Sequence, residues 1–457
     1  MPDDGKRVGQ LIDIAEARGA RGMQWHGKLA RNAEGAYYPT LANAMILMAN
    51  EPALAGLVVF DEFLGGPVVM RPPPVPEDGA EPLPGPYPRE MADEDVLMVQ
   101  GHLQRLWSPR FTKQTAQDAM LAETAQRRVH PVREWLDGLK WDGKERLDTW
   151  LCHAFGCPDD AYHNAVGSKF LIAAVRRVRQ PGCKFDYMPV FEGGQGIGKS
   201  RTCAALFGQE WFTDSLPHDL GHKDAAIGLL GVWGVELGEL DGLVRNSVET
   251  VKAFLSRQVD RYRPPYGKGF VKRPRQGVLV GTTNSTDYLR DTSGNRRFWP
   301  VWCEKAEPGW VADNREQLWA EAAEREACGE PIWLDDESVR KTAVEHQAER
   351  LSEDTWTATI MDWLNVTGRM EVKVAEIMQH PLALPLDKWT KALEMRVAAV
   401  LREAGWMLHI YKPKGVPKTV RAWFAPGMEL PGKPGTFVPI PPVTTFDPVT
   451  TSEGVSA

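Results

Sequence analysis

Gly193, Gly198, Lys199 and Ser200 stand in the spacing G-x-x-x-x-G-K-[ST], within the stretch Met188-Pro-Val-Phe-Glu-Gly-Gly-Gln-Gly-Ile-Gly-Lys-Ser200. The apolar residues ahead of the glycines predict a strand, and Gly198-Lys199-Ser200 opens a predicted helix running through Leu206. Gly194 and Gly196, with Gln195 and Ile197 between the glycines, leave backbone N–H groups free to close around a polyphosphate. Lys199 is placed to meet the β- and γ-phosphates and the Ser200 hydroxyl to hold magnesium. Arg201 follows in the first helical turn, and the positive end of the helix faces the anion.

A site that hydrolyses such a phosphate needs an acid to organise the metal and polarise water. The end of a parallel strand beside the loop is where that acid must lie. The run Gly231-Val-Trp-Gly-Val-Glu-Leu-Gly-Glu-Leu-Asp241 supplies Glu236 and Glu239. Three apart in an extended strand, they face opposite sides, so at most one is the principal acid. A second buried strand, Gly277-Val-Leu-Val-Gly-Thr-Thr-Asn284, ends in Asn284, an amide able to orient the lytic water or read the γ-phosphate. Arg296 and Arg297 precede a further strand, where they either form interior ion pairs or, in an oligomer, reach a neighbour's γ-phosphate. An arginine in the second role contributes roughly 10³–10⁵ in rate, about 4–7 kcal/mol of barrier.

Between these elements lies Arg261-Tyr-Arg-Pro-Pro-Tyr-Gly-Lys-Gly-Phe-Val-Lys-Arg-Pro-Arg275, in which six of fifteen residues are Lys or Arg and none is acidic. Two β-prone arms around the Pro/Gly centre predict a hairpin. Lys268 is suited to phosphate, Tyr266 to base stacking, and Lys272 and Arg273 extend the basic arm. The chain as a whole carries a formal net charge of -7, so any nucleic-acid binding must use a local patch of this kind.

The order Gly-Gly-Gln-Gly-Ile-Gly-Lys-Ser200, Glu236-Leu-Gly-Glu-Leu-Asp241, Ser256-Arg-Gln-Val-Asp-Arg-Tyr-Arg-Pro-Pro-Tyr-Gly267, Gly281-Thr-Thr-Asn284 and Gly294-Asn-Arg-Arg-Phe-Trp-Pro-Val301 resembles the virulence-associated protein E family. That family is similar to the helicase part of phage and poxvirus-type primase-helicases, within superfamily 3 of the AAA+ ATPases. The resemblance is specific from about Arg128 to Cys303, and His130-Pro-Val-Arg133 and Leu139-Lys-Trp-Asp-Gly-Lys-Glu-Arg-Leu147 belong to its upstream part.

The resemblance implies an ATP- and Mg2+-dependent, ring-forming motor, generally a hexamer, moving 3′ to 5′ on single-stranded or forked DNA. It further implies that Glu239, by its spacing to Lys252, is favoured over Glu236 as the catalytic acid. Asn284 takes the sensor role, Arg296 and Arg297 match the double-arginine element, and the segment around Lys268 corresponds to the pore hairpin. Many relatives carry a primase domain at the N-terminus. The first residues here are too few and lack the set of acids, so a primase or another replication protein is expected as a separate partner.

These residues need an α/β core to position them, and the expected fold is an AAA+ type P-loop ATPase with a helical N-terminal region and a C-terminal winged-helix-like module. At 457 residues, with 43% hydrophobic and 25% charged residues, the chain reads as a multidomain globular protein. The expected divisions are a small mixed segment at 1–71, a linker or loop at 72–90, a helical domain at 91–185, the ATPase core at 186–345, the winged-helix-like domain at 346–425 and a disordered tail at 426–457. Residues 72–88 hold eight prolines and residues 426–457 seven.

In the first segment a helix over Asn43–Met48 and a strand over Leu57–Phe60 are expected, the latter ending in Asp61-Glu62, which reads as strand-end acids or a metal pair. Helices are predicted over Asp93–Trp107, Thr112–Arg127, Pro131–Leu139 and Tyr162–Val178. Arg176, Arg177 and Arg179 near the end of the last either complement its C-terminus or contact nucleic acid. From Trp356, three helices and a two-stranded wing are expected, with Arg396, Lys412, Lys414 and Lys418 available to phosphates.

Six cysteines form no C-x-x-C pair, and no apolar run approaches ~18 residues. A reduced protein with no membrane span, cytoplasmic in a bacterial host or phage-encoded, is therefore expected. Two other readings use the same loop: an ATP-dependent origin-binding or loading factor without unwinding, and a P-loop kinase, which would have no need of Asn284 and the arginine pair.

Overall fold

The computed structural model describes residues 25–75, 81–217, 219–238, 248–263, 269–289, 294–351, 355–413, 418–433 and 435–439. The chain divides into two units, residues 1–350 and 351–457. The strands of the first unit, in chain order, are β1 (Val58–Asp61), β2 (Gly66–Val69), β3 (Arg89–Glu90), β4 (Arg128–Val129), β5 (Met188–Glu192), β6 (Phe212–Thr213), β7 (Gly234–Leu237), β8 (Val259–Tyr262), β9 (Val271–Pro274), β10 (Val278–Thr283) and β11 (Phe298–Trp302).

Five of these make the central sheet, ordered β11-β5-β10-β7-β6, with every neighbouring pair parallel. β5, β7 and β10 are buried along their whole length, as their continuous apolar runs require of parallel strands covered on both faces. One cluster covers the face that carries Phe191, Val278, Val280 and Trp299. The helix Ala161–Arg179 brings Tyr162, Val166, Phe170 and Ile172, and the helix Pro308–Ala327 brings Leu318 and Trp319. Trp233 stacks obliquely on Trp319 with ring centroids 4.0 Å apart, and the aromatic layer read from the sequence is packing.

Residues 25–75 and 81–130 are not a segment followed by a separate helical domain. β1 to β4 form one sheet in the order β3-β2-β1-β4, so strands from the expected first segment, the proline-rich stretch and the helical region pair with one another. Leu47, Val58, Val99, Leu103 and Met120 share a single core. The reason is area: a short strand pair cannot bury enough apolar surface alone, and the helices Asp93–Leu106 and Lys113–Gln126 complete the core. The turn after β1 then enters the large core. Phe63 packs there, Gly231 N–H donates to the Phe63 carbonyl at 3.2 Å, and Arg273 donates to the Gly65 carbonyl at 2.7 Å.

Asp61 and Glu62 are structural. The Asp61 carboxylate accepts from the N–H groups of Phe63 (2.7 Å) and Leu64 (3.0 Å), while Glu62 meets Arg128 (3.3 Å) and Arg133 (3.4 Å). The arginine cluster at the end of the long helix is likewise internal. Arg177 is buried and donates to the carbonyls of Gly277 and Cys183, and Arg176 and Arg179 both pair with Glu326 at 3.1 Å.

The second unit contains the helices Thr355–Thr367, Val374–Gln379 and Lys391–Glu403. Its strands β12 (Glu371–Val372), β13 (Met407–Tyr411) and β14 (Val420–Phe424) form an antiparallel sheet in the order β12-β14-β13, one strand more than expected. Arg396 lies over the Trp356 ring at 3.9 Å, so its guanidinium is engaged within the unit. Residues 426–439 are not a tail. Glu429 bridges Phe437, and Leu430 and Val438 bury against Ala422 and Phe424, because these apolar residues cover the face of β14 that the helices leave open. Residues 440–457 and Lys414 lie outside the described residues.

His130 caps the helix Pro131–Gly138, its Nδ1 accepting the Arg133 N–H at 3.2 Å while Nε2 meets Gln276 Oε1 at 2.7 Å. Accepting at Nδ1 requires the neutral ring, and burial lowers the His130 pKa from its ordinary value; His163 is displaced downward by burial too. The unfolded chain therefore takes up these protons first as pH falls. Stability is fully present above about pH 6.5 and is lost as pH drops below it. The denaturation midpoint in urea should fall between pH 7.5 and 5.5. His130→Asn, which retains a capping oxygen, should show a smaller drop, and an equal drop would remove His130 from the cause.

Candidate nucleotide site

β5 ends at Glu192, and the chain turns through Gly193–Gly198 into the helix Lys199–Phe207. The turn needs glycine at defined points. Gly193 has φ +149° and a Cβ there would lie 2.5 Å from the Cys303 carbonyl oxygen, while Gly196 (φ +79°) and Gly198 (φ +106°) occupy conformations that L side chains rarely adopt. Gly194, Gln195 and Gly196 are exposed, Ile197 and Gly198 half-buried, and Ser200 and Arg201 exposed on the first helical turn. No side chain caps this helix, which leaves its first N–H groups to an incoming anion.

Lys199 is the convergence point. It is 7% exposed, and its Nζ donates to the carbonyls of Gly193 (2.7 Å) and Gly194 (2.9 Å) and to Asn284 Oδ1 (3.1 Å). Asn284 arrives there because β10 lies next to β5 in register, Thr283 opposite Glu192. Burial lowers the Lys199 pKa, and nearby Cys303 and Glu236 oppose the shift.

Glu236, on β7, is 3% exposed, and its Oε1 accepts from Ser200 Oγ at 2.7 Å and Thr282 Oγ1 at 2.5 Å. Its Oε2 is buried with no hydrogen-bond partner. An unpartnered buried carboxylate oxygen beside a serine hydroxyl fits a hard divalent cation, and magnesium typically takes only one or two protein carboxylates, leaving the rest to phosphate and water. Among the described residues no group of three or more His, Cys, Asp or Glu gathers as an all-protein metal cage. Glu239, the acid favoured from spacing, lies outside the described residues, and Glu236 is the acid in contact with Ser200. Thr282 was not singled out in the sequence; its place in Gly281-Thr-Thr-Asn284, one strand from the acid, was the available signal.

Arg296 and Arg297 lie elsewhere. They form a short 3-10 turn at the start of β11, and each reaches Asp186 Oδ2 at 3.2 Å. β11 runs parallel to β5 with Phe298 opposite Met188, so the pair sits at the opposite end of β5 from the glycine turn, roughly 16 Å away along a five-residue strand. Arg297 also donates to Ser256 Oγ at 3.1 Å, and Arg296, over the Tyr187 ring, keeps 54% of its side chain exposed.

The predicted basic hairpin is the antiparallel ribbon β8–β9. Buried Arg275 fixes its base through Asp260 at 2.6 and 2.9 Å. Lys272 is exposed opposite exposed Arg261, whereas Arg273 is half-buried and tied to Gly65. Tyr266 and Lys268 lie outside the described residues.

Residues 136–352 match the model for the virulence-associated protein E-like domain. Over those residues the chain is similar to that domain. That span contains every element just described, from the glycine turn to the arginine pair. Comparison with curated proteins finds no match. Among solved structures, "The apo structure of NrS-1 C terminal region (305-718)" is 13% identical, covering 80% of this chain and 95% of that one at a TM-score of 0.42. "The A form apo structure of NrS-1 C terminal region-CTR" is 16% identical, covering 64% of this chain and 78% of that one at a TM-score of 0.37. At these scores the likeness carries no statement about activity.

The glycine turn makes a sharp prediction. Gly193→Ala should weaken binding of a fluorescent ATP analogue by at least about tenfold, since the added carbon meets backbone that has no room to yield. Gly194→Ala, whose Cβ would meet only Ile197 Cγ2 at 3.5 Å, should stay within a few-fold of wild type. Equal losses in an equilibrium titration would contradict the assignment of the turn.

Proposed function

We propose that this protein is an ATP-dependent replicative DNA helicase of the superfamily 3, AAA+ type, acting as a ring on single-stranded or forked DNA in phage or bacterial replication. The observation that carries the reading is the meeting of Lys199, Ser200, Glu236 and Asn284 at the ends of three adjacent parallel strands. Triphosphate chemistry explains all four groups together.

Lys199 exchanges its carbonyl partners for the β- and γ-phosphate oxygens, and the N–H groups of Gly194–Ser200 surround the polyphosphate. Magnesium, when bound, neutralises phosphate charge; Ser200 and the free oxygen of Glu236 are the residues that would hold it. With Glu236 holding the metal, Glu239 takes the proton of the attacking water; should Glu239 hold the metal instead, Glu236 takes it, and in either case Asn284 orients that water. The distance of Arg296 and Arg297 from their own chain's loop supports action across a subunit boundary. The exposed face of β8–β9, with Lys272, is the surface offered to DNA, and the three helices and small sheet of residues 355–424 are offered as a winged-helix-like module. No helix among the described residues is long and apolar enough to cross a membrane.

On a forked DNA substrate the protein should displace a strand only with ATP, and Lys199→Ala should abolish displacement. DNA-stimulated hydrolysis with no displaced strand of either polarity would instead support the loading-factor reading. Mixing Arg297→Ala subunits with Lys199→Ala subunits should restore part of the ATPase activity that each variant lacks, because a mixed boundary then holds one intact loop and one intact arginine. No recovery at any mixing ratio would count against the shared site.

A further inference from the structure

Directly behind the glycine turn lies a buried charge that the proposed chemistry does not use. Glu192, the last residue of β5, is 0% exposed, and its carboxylate accepts from Arg350 Nε at 3.0 and 3.1 Å, from Arg350 Nη2 at 2.9 Å and from the Tyr288 hydroxyl at 2.6 Å. Its own carbonyl takes the Cys303 N–H at 2.7 Å, and the next carbonyl in the chain, that of Gly193, holds Lys199 Nζ. Tyr288 stands four residues beyond Asn284, and the following N–H, of Leu289, donates to the Arg350 carbonyl at 3.1 Å. Burial, with negative Glu192 beside it, raises the Tyr288 pKa well above its ordinary value, so the phenol stays a neutral donor. Arg350 is further held by the carbonyl of His346 and by the side chain of exposed Glu349.

A carboxylate one residue from a loop built for a polyanion repels what the loop must bind, and burial removes the water that would screen it. The arginine is therefore needed for more than stability. We propose that Arg350 is a positioning residue for the nucleotide: it cancels the charge of Glu192 behind the phosphate loop and, with Tyr288, ties the Asn284 segment to the end of β5. This rests on the reading of Gly193–Ser200 as a nucleotide site and adds to it a requirement that the loop motif does not contain.

The test is equilibrium binding of a fluorescent ATP analogue with Mg2+ to the full chain, alongside the melting temperature of each variant. Charge cancellation predicts opposite signs for the two partners. Arg350→Gln should weaken binding by about tenfold or more, because the bare carboxylate then faces the phosphates. Glu192→Gln should bind no worse than wild type, since a positive charge is left behind the loop. Glu192→Gln/Arg350→Gln, with neither charge, should recover most of the affinity that Arg350→Gln loses. Folded Arg350→Gln with wild-type affinity, or a double variant as weak as Arg350→Gln alone, would overturn the inference. Should Arg350→Gln not fold, Glu192→Gln still decides: weaker binding by a folded chain would overturn it. Wild-type protein that binds no analogue at all would sink the nucleotide reading itself, an outcome distinct from any difference among variants.

Discussion

Everything in the first unit depends on holding one ammonium group in place. Lys199 is bound by two carbonyls of its own loop and by the Asn284 amide from the neighbouring strand, and it stands beside a carboxylate from the strand after that. Three strands must be parallel, adjacent and in fixed register for these groups to meet. The sheet order, with β10 between β5 and β7, delivers that, and the helices packed on one face help to hold the order by burying that face. The cost of desolvating Lys199 and Glu236 together is offset only in part within the protein, since Glu236 Oε2 has no partner. The nucleotide and Mg2+ proposed for this site would bring both phosphate oxygens and a cation.

The elements that make the site were legible because each carries a local signal. Glycines at fixed offsets, apolar runs ending in polar residues and the flanking helical periodicity located β5, β7 and β10 and the helix after the loop. The choice between Glu236 and Glu239 was not legible, because spacing says which residues share a face but not which strand end lies nearest Ser200. Thr282, Asp186 and the pair Glu192–Arg350 were missed for a related reason: their partners lie 46, 110 or more, and 158 residues away in the chain, and no local pattern encodes such a pairing.

The errors in domain layout have the same origin. Eight prolines between residues 72 and 88 read as a boundary, yet β3 on the far side of them pairs with β2. Proline content reports where regular hydrogen bonding stops, not where a core ends. The stretch after Pro426 repeats the point, since Leu430 and Val438 find a sheet face to cover. By contrast, the turn at Phe63–Gly65 reaches the base of the basic ribbon through Arg273, so the N-terminal sheet and the ribbon are mechanically joined although more than 200 residues separate them. That hydrogen bond ties the N-terminal sheet to the ribbon proposed to meet DNA.

The central claim is that the glycine turn is the nucleotide site of a DNA-driven motor. The most direct measurement is steady-state phosphate release by the purified chain with ATP and Mg2+, titrated with single-stranded DNA. The account predicts hydrolysis that requires Mg2+, rises severalfold as DNA saturates and disappears in Glu236→Gln. Hydrolysis that ignores DNA at every concentration, or phosphate transfer to a small acceptor in place of water, would contradict it.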